Sequence, residues 1–568
     1  MADANSFLAM IRRLLYWMGH IARGRVNTLY LIAIGVAIYG VVLRCSSLGR
    51  SLWLDEAWVA NSVSARSLAG MFYYDAWLQS SPPLFLLLVR VVVAVFGLSN
   101  TVLRAVPSAL GILAALMMLL FVLRIMSRQY ALLAWVLLVL SPVAVNYSRQ
   151  LKQYSAELAA TTTILLVCAL YIENATIRRF WLLAVTVTAG LLSGYAIAFL
   201  LPGIAFMIWM SPVRHGTPSN ARAYLSSRFA RVFLFTVIAG GTLVGEYYLF
   251  VIPNSPAVLH TDWAHKNERV QGFASLASSD SYEFIGELPL NHRLQQERIR
   301  LGVVGFTILF GLALACLRFR EGRRKWLQVQ IVCLLPCLLL IVSDWFNWYP
   351  FTERTSLFAL SCLIAVLISS LQLTSLFVLK RRRDWVRPLL DVMVLGAIVL
   401  TIKAGLSNNY RFLSPSEDMD GAVSFLQTHV QPEDFLWVHA SCLEAFKLYV
   451  RMNKWRNAPA RFGRTGWPCC PRGITNTLMD TTSETLVRSD FGNALPSNFS
   501  GRVWLLFTTR PQHWRGRADE PHIMQTVLRE RGCTEMSTPA FVNLRVGLFN
   551  CNERPGRLDK GLHEEEGQ

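Results

Sequence analysis

Long apolar runs bounded by arginine and lysine clusters recur along this chain, and no other feature constrains its fold as much. The run from Val26 to Leu43 carries no charge and follows Arg12, Arg13, Arg23 and Arg25. Later runs end at Arg124 and Arg128, at Arg178 and Arg179, at Arg318 to Lys325, and at Lys380 to Arg383. In hydrocarbon a segment must satisfy its own backbone polar groups, so such runs read as membrane-crossing helices. The mean hydropathy of +0.38 and 53% hydrophobic content exclude an ordinary soluble protein for most of the 568 residues. A net charge of +19 would suit a nucleic-acid binder. The cations, however, stand between apolar runs, as in cytoplasmic loops facing an anionic leaflet, so the partner expected is the lipid bilayer and no nucleic acid.

Keeping the basic clusters inside yields about eleven transmembrane helices. Residues 1–25 read as a basic cytoplasmic N-terminus with no small-residue cleavage site, and 26–404 as the transmembrane domain. Residues 405–555 read as a soluble external α/β domain and 556–568 as a disordered tail. This makes an α-helical polytopic protein of the inner (plasma) membrane, with its C-terminal domain periplasmic or otherwise extracytoplasmic. One run resists the scheme. Pro83 to Phe96 has Arg90 at its centre and about 14 residues where a span needs roughly 20. Counting it as a span would move Arg124 and Arg128 outside. It is therefore expected to be a membrane-lying helix within the first external loop, 45–101, with Arg90 reaching the headgroups.

Three external turns then meet on one membrane face. Leu52 to Pro83 carries the adjacent acids Asp55 and Glu56; NYSRQLKQYSAE, from Asn146 to Glu157, carries Arg149 and Lys152; YPFTERT, from Tyr349 to Thr355, carries Glu353 and Arg354. A carboxylate can take the proton from an attacking hydroxyl. Fixed cations can stabilise charge growing on a departing phosphate. One base and one cationic phosphate site predict a single in-line displacement, with inversion at the reacting carbon. Tyr147, Tyr154, Tyr349 and Glu353 are the further candidates for substrate contact. Plainer roles stay open: Asp55 and Glu56 as helix N-terminal acids, Arg149 and Lys152 as snorkelling side chains, Arg354 paired with Glu353, and Trp345 to Tyr349 as an interfacial aromatic belt. His260 and His265 read as loop-surface residues.

Within the C-terminal region EDMDGAVSFLQTHV has the pattern of an amphipathic helix, and DFLWVHA, VWLLFTT and VNLRVGLFN read as strands. Of its five cysteines, Cys442, Cys469, Cys470, Cys533 and Cys551, the pair Cys533 with Cys551 is the first choice for a disulfide, because the two flank a strand pair. Common zinc, dinucleotide and P-loop patterns are missing from the sequence.

The ordered strings LWLDEAWVANS, PPLFLLL, FGLSNTVLRAVPSALG, SPVAVNYSRQLKQYSAE and YPFTERTSLF resemble the dolichyl-phosphate-mannose-protein mannosyltransferase-like superfamily of membrane glycosyltransferases, the GT-C fold, in its bacterial members. The resemblance covers roughly residues 25–400. It implies a polyprenyl-phosphate-linked sugar donor, an extracytoplasmic acceptor hydroxyl on protein, lipid or glycan, Asp55 as base with Glu56 as its acidic neighbour, and Arg149, Lys152 and Arg354 as phosphate contacts. Two departures stand out. Ser81 precedes the Pro-Pro step where relatives often have His, and Gln150 follows Ser148-Arg149 where they often have an acid. The second leaves a divalent metal unassigned, and no other cofactor is implied. The competing reading is a transporter or flippase of a lipid-linked or anionic solute, which should show repeated halves and mid-membrane ionisable groups.

Overall fold

The computed structural model describes residues 28–73, 81–211, 221–254, 323–346, 348–349, 354–381, 386–407, 417–439, 442–455, 460–462, 484–496, 499–509 and 520–551. The basic N-terminus, the loop beyond Asn254 with His260 and His265, the run from Leu301 to Leu317, Glu353, Cys469, Cys470 and the tail lie outside these residues.

The uncharged first run forms α1, Thr28–Cys45. After a turn come α2, Leu54–Val63, the short α3, Leu68–Phe72, and α4, Pro83–Phe96. Pro83 opens α4, where its missing N–H costs nothing, and Gly97 closes it at φ 83°, a left-handed conformation that favours glycine. Arg90 does not simply reach outward. Its Nη1 donates to the carbonyls of Val63 (3.3 Å) and Ala65 (2.8 Å), tying α4 to the C-terminal end of α2.

The long helix α5, Asn100–Ile125, is capped by Ser99, whose Oγ accepts from the Val102 N–H. The run expected as one span from Ala131 to Val145 is two helices, α6 (Arg128–Val139) and α7 (Pro142–Ser148), bent by 52°. Pro142 can begin a helix but not continue one, and the Ser141 hydroxyl caps the new start. Helix α8, Tyr154–Glu173, packs along α5, and α9, Ile177–Leu191, packs along α8. The chain breaks at Ser193-Gly194, then continues through a 3₁₀ turn, Tyr195–Leu200, into α10, Leu201–Met210. Helices α11 (Ala221–Glu246), α12 (Arg323–Trp345), α13 (Leu357–Arg381) and α14 (Val386–Ser407) complete the apolar set.

Among the described residues four helices are long and apolar enough to cross a membrane: Asn100–Ile125, Tyr154–Glu173, Arg228–Asn254 and Lys325–Asp344; α6 with α7 makes a fifth if the bent pair is one span. The inside of this bundle is a continuous apolar core that includes Met118, Trp135, Ile164, Phe180, Phe235 and Phe358. Its outside is also apolar, with Ile38, Val185, Phe229 and Val399 exposed, as contact with lipid tails requires.

Residues 417–551 have a different character. Helix α15, Met419–His429, is capped by Asp418. Strand β1, Phe435–Val438, leads to α16, Leu443–Met452, then β2, Ala460–Phe462, and α17, Glu484–Ala494. Strand β3, Arg502–Thr508, is followed by α18, Glu520–Glu530, β4, Thr534–Met536, and β5, Leu544–Asn550. The sheet order is β2-β1-β3-β5-β4, with β1 parallel to β2 and β3, and β5 antiparallel to β3 and β4. Alternation sends Leu436, Val438, Trp504 and Leu506 to one face, and Phe435, Trp437, Val503 and Leu505 to the other. Both faces are covered, so β1 is buried throughout. Cys533 and Cys551 form a disulfide just outside the β4–β5 pair, while Cys442 is buried in the apolar core shared with α16.

Candidate active site

Asp55 and Glu56 occupy the first turn of α2. Neighbouring residues on a helix point about 100° apart, so the two acids serve different surroundings. Glu56 is completely buried. Its Oε1 accepts from Arg104 Nε at 2.8 Å and from the Leu151 N–H at 2.8 Å; its Oε2 accepts from Arg104 Nη2 at 2.5 Å and from the Trp53 N–H at 3.3 Å. Arg104 spends its other donors on the carbonyls of Leu48 (3.0 Å), Ser51 (3.0 Å) and Arg50, so all five of its N–H groups are used. Burial pushes the Glu56 carboxyl up, but the Arg104 charge and hydrogen bonds, with Leu151, outweigh it and hold the group below the ordinary carboxylate range. Glu56 therefore cross-braces α2, α5 and the turn before α8. Its lone pairs are taken.

Asp55 has a different set of partners. Its Oδ2 lies 3.9 Å from Lys152 Nζ and 3.6 Å from Arg354 Nη1, with its own side chain 19% exposed and that of Arg354 44% exposed. The three residues come from three distant stretches: α2, the turn between α7 and α8, and the approach to α13. Glu56 helps set this grouping, because the Leu151 N–H that it holds is adjacent to Lys152. Lys152 Nζ also stands 5.8 Å from the centre of the Trp58 ring, one turn along α2 from Asp55. Burial lowers the Lys152 ammonium, Asp55 opposes that shift, and Arg354 adds to it. Arg354 is held still further toward its charged form by Tyr154 and then Asp55.

Tyrosines line the space beside this cluster. Tyr147 and Tyr154 pack edge to face at 5.2 Å. Tyr349 packs edge to face on Phe199 at 5.3 Å, and Phe199 in turn stacks on Phe358 at 5.8 Å. Burial, with Glu157 beside it, pushes the Tyr349 phenol well above its ordinary range, so it remains a proton-bearing donor at neutral pH. Phe346 and Trp348, by contrast, stack at 5.0 Å and are exposed.

Arg149, grouped with Lys152 by sequence, takes another direction. It is fully buried, and its Nη1 donates to Ser46 Oγ at 3.2 Å beside the end of α1. Among the described residues the ion pairs to Asp55 come from Lys152 and Arg354. Arg104 was not singled out by sequence, although an arginine just inside an apolar run is itself a demand for a buried partner. Glu157 was passed over likewise. It is buried on α8 and fits only because residue 194 is glycine, since a β-carbon there would fall 2.0 Å from Glu157 Cγ. Among the described residues no three or more His, Cys, Asp or Glu side chains stand together as candidate metal ligands.

The arrangement offers one partly exposed carboxylate, two cations that a phosphate could engage, and flanking phenols, all at the ends of apolar helices. Residues 80–239 match the family described as dolichyl-phosphate-mannose-protein mannosyltransferase. The fold is similar to that of ArnT from Cupriavidus metallidurans in the apo state, with a TM-score of 0.51 at 12% identity over 93% of this chain and 98% of that one. Against ArnT bound to undecaprenyl phosphate the TM-score is 0.50 at 13% identity, over 92% and 98%. An oligosaccharyltransferase from Archaeoglobus fulgidus, solved with Zn and sulfate, is more distant, with a TM-score of 0.44 at 14% identity over 74% of this chain; the chain spans 61% of that protein's length. No curated protein matches the sequence. The family match falls within the helical region, and the likeness to ArnT over nearly the whole chain shows that this chain has the same kind of fold, the GT-C fold.

Proposed function

We propose that this protein is an inverting glycosyltransferase that moves a sugar from a polyprenyl-phosphate-linked donor to a hydroxyl of an extracytoplasmic acceptor, with Asp55 as general base. The observation that carries the reading is the convergence of Lys152 and Arg354 on the Asp55 carboxylate from three separate stretches of chain. A donor phosphate would compete for both cations. Once they turn to it, the carboxylate is free to accept the acceptor's proton as its oxygen attacks the anomeric carbon. The bond from that carbon to the phosphate oxygen breaks as the new glycosidic bond forms, and the lipid phosphate leaves with the electron pair, stabilised by Lys152 and Arg354. Phosphate leaves readily, so a second carboxylic acid is not required. Glu56 then acts as a brace for the base and the lysine rather than as a reacting group.

The similarity of fold to an ArnT that binds undecaprenyl phosphate supports a lipid-phosphate donor. The proposed topology has eleven spans with the turns of Asp55, Lys152 and Arg354 on the external face, and residues 405–555 as an external α/β domain. A membrane fraction containing the protein, given a radiolabelled polyprenyl-phosphate sugar and a crude acceptor extract, should yield labelled acceptor of inverted anomeric configuration. Retained configuration would exclude single displacement.

A further inference from the structure

The helix that carries Asp55 is held as firmly by the far end of the chain as by its neighbours in sequence. Tyr449, on α16, is fully buried, and its hydroxyl accepts from the Leu52 N–H at 2.7 Å and from Ser51 Oγ at 3.4 Å. The same hydroxyl donates to Asn100 Oδ1 at 3.1 Å, at the first residue of α5. Ser51 Oγ also accepts from the Asp420 N–H at 3.0 Å. Further along α2, Asn61 Nδ2 donates to Glu444 O (2.9 Å) and Glu444 Oε2 (3.1 Å), while Asn61 Oδ1 accepts from Arg451 Nη2 at 2.8 Å. Between these polar ties Ala57, Val59, Ala60 and Val63 share one apolar core with Ala445, Phe446, Leu448 and Tyr449. Glu56, through Arg104, braces the first turn of α2 from α5. Asp55 thus sits between two anchors, three residues after the one on Tyr449 and one residue before the one on Arg104.

We propose that α16 is part of the catalytic apparatus, with Tyr449 as a positioning residue that fixes the start of α2 and so the placement of the Asp55 carboxylate. The claim rests on Asp55 being the base. Under it, the C-terminal region is not a separable acceptor-binding module, because removing it would strip α2 of half its core and of polar ties at both ends. Proton transfer and in-line attack are steep functions of placement, and a displacement of about 1 Å can cost roughly a hundredfold in rate. A slackened Tyr449 tie should therefore lower kcat and leave the binding steps largely unchanged.

The test is the full-length Tyr449→Phe variant in detergent, which keeps the ring and removes the hydroxyl. The expected result is a fall in kcat of about tenfold with the KM values for donor and acceptor within about twofold, and faster amide exchange in residues 54–63 but not in 130–139. Arg451→Lys, a milder change at the other end of α2, carries the same two readouts should Tyr449→Phe not accumulate. Unchanged kcat, a loss confined to acceptor KM, or unchanged exchange across 54–63 would overturn the proposal. Wild-type protein without transfer activity would instead sink the glycosyltransferase reading, and the exchange measurement would still decide whether α16 holds α2.

Discussion

Glu56 and Arg354 both neighbour Asp55, one in sequence and one in space, and their environments predict opposite consequences of mutation. Glu56→Gln removes the counter-charge of a buried, fully bonded Arg104, and breaking such a pair costs about 3–5 kcal/mol. Thermal melting in detergent should show that loss directly. The folded Glu56 carboxyl lies below its ordinary value, so the stability it contributes is complete at neutral pH. That contribution starts to fall near pH ~4.3, where the unfolded carboxyl protonates, and is lost as pH drops through the lower folded value. In Glu56→Gln that acid limb should be absent. An unchanged limb would assign the acid sensitivity elsewhere. Arg354, 44% exposed, should behave differently. Arg354→Ala is expected to leave melting nearly unchanged while raising donor KM roughly tenfold, the scale of one charge-assisted contact.

These residues also show why only part of the site was legible in the sequence. Asp55, Lys152 and Arg354 interrupt an otherwise apolar chain at the ends of its runs, where charge needs a reason to be present, and the eleven-span reading sends all three to one face. Arg149 met the same test and went elsewhere, because a charge at a run end carries no information about which way it points. Arg104 is hidden inside a run, and its need for Glu56 appears only once α2 and α5 lie side by side.

Among the elements, α4 has the most to say about topology. Its 14 residues end at Gly97, and Arg90 is turned back onto the carbonyls closing α2. Both facts suit a helix that stays with the external loop, whereas a spanning helix would carry Arg90 toward the bilayer centre. A reporter inserted at residues 98–100 should therefore read extracytoplasmic, and a cytoplasmic signal would contradict the eleven-span arrangement. The bend between α6 and α7 was less legible. An apolar run gives no sign of where it folds, although Pro142 marked the place in retrospect. Strands β1, β3 and β5 were visible as short apolar runs, whereas their order in the sheet depends on pairings that composition does not encode.

Across the whole molecule, the residue pairs that matter most are far apart in the chain. Leu52 meets Tyr449, Asn61 meets Arg451, and Asp55 meets Arg354. No local pattern announces such contacts, which is why a C-terminal region that reads as an appended unit turns out to share a core with α2. The molecule is a bundle of apolar helices carrying a charged site at one end, with a mixed sheet built against the helix that bears the candidate base. A transporter reading would make Asp55 one of several ionisable groups on a path, and transfer chemistry would not depend on it.

The decisive measurement is sugar transfer from a radiolabelled polyprenyl-phosphate donor by wild-type protein and by Asp55→Asn, compared at equal amounts of folded protein. Loss of the base should cost at least about a hundredfold in kcat with the melting temperature preserved. Transfer by Asp55→Asn at the wild-type rate would show that Asp55 is not the base.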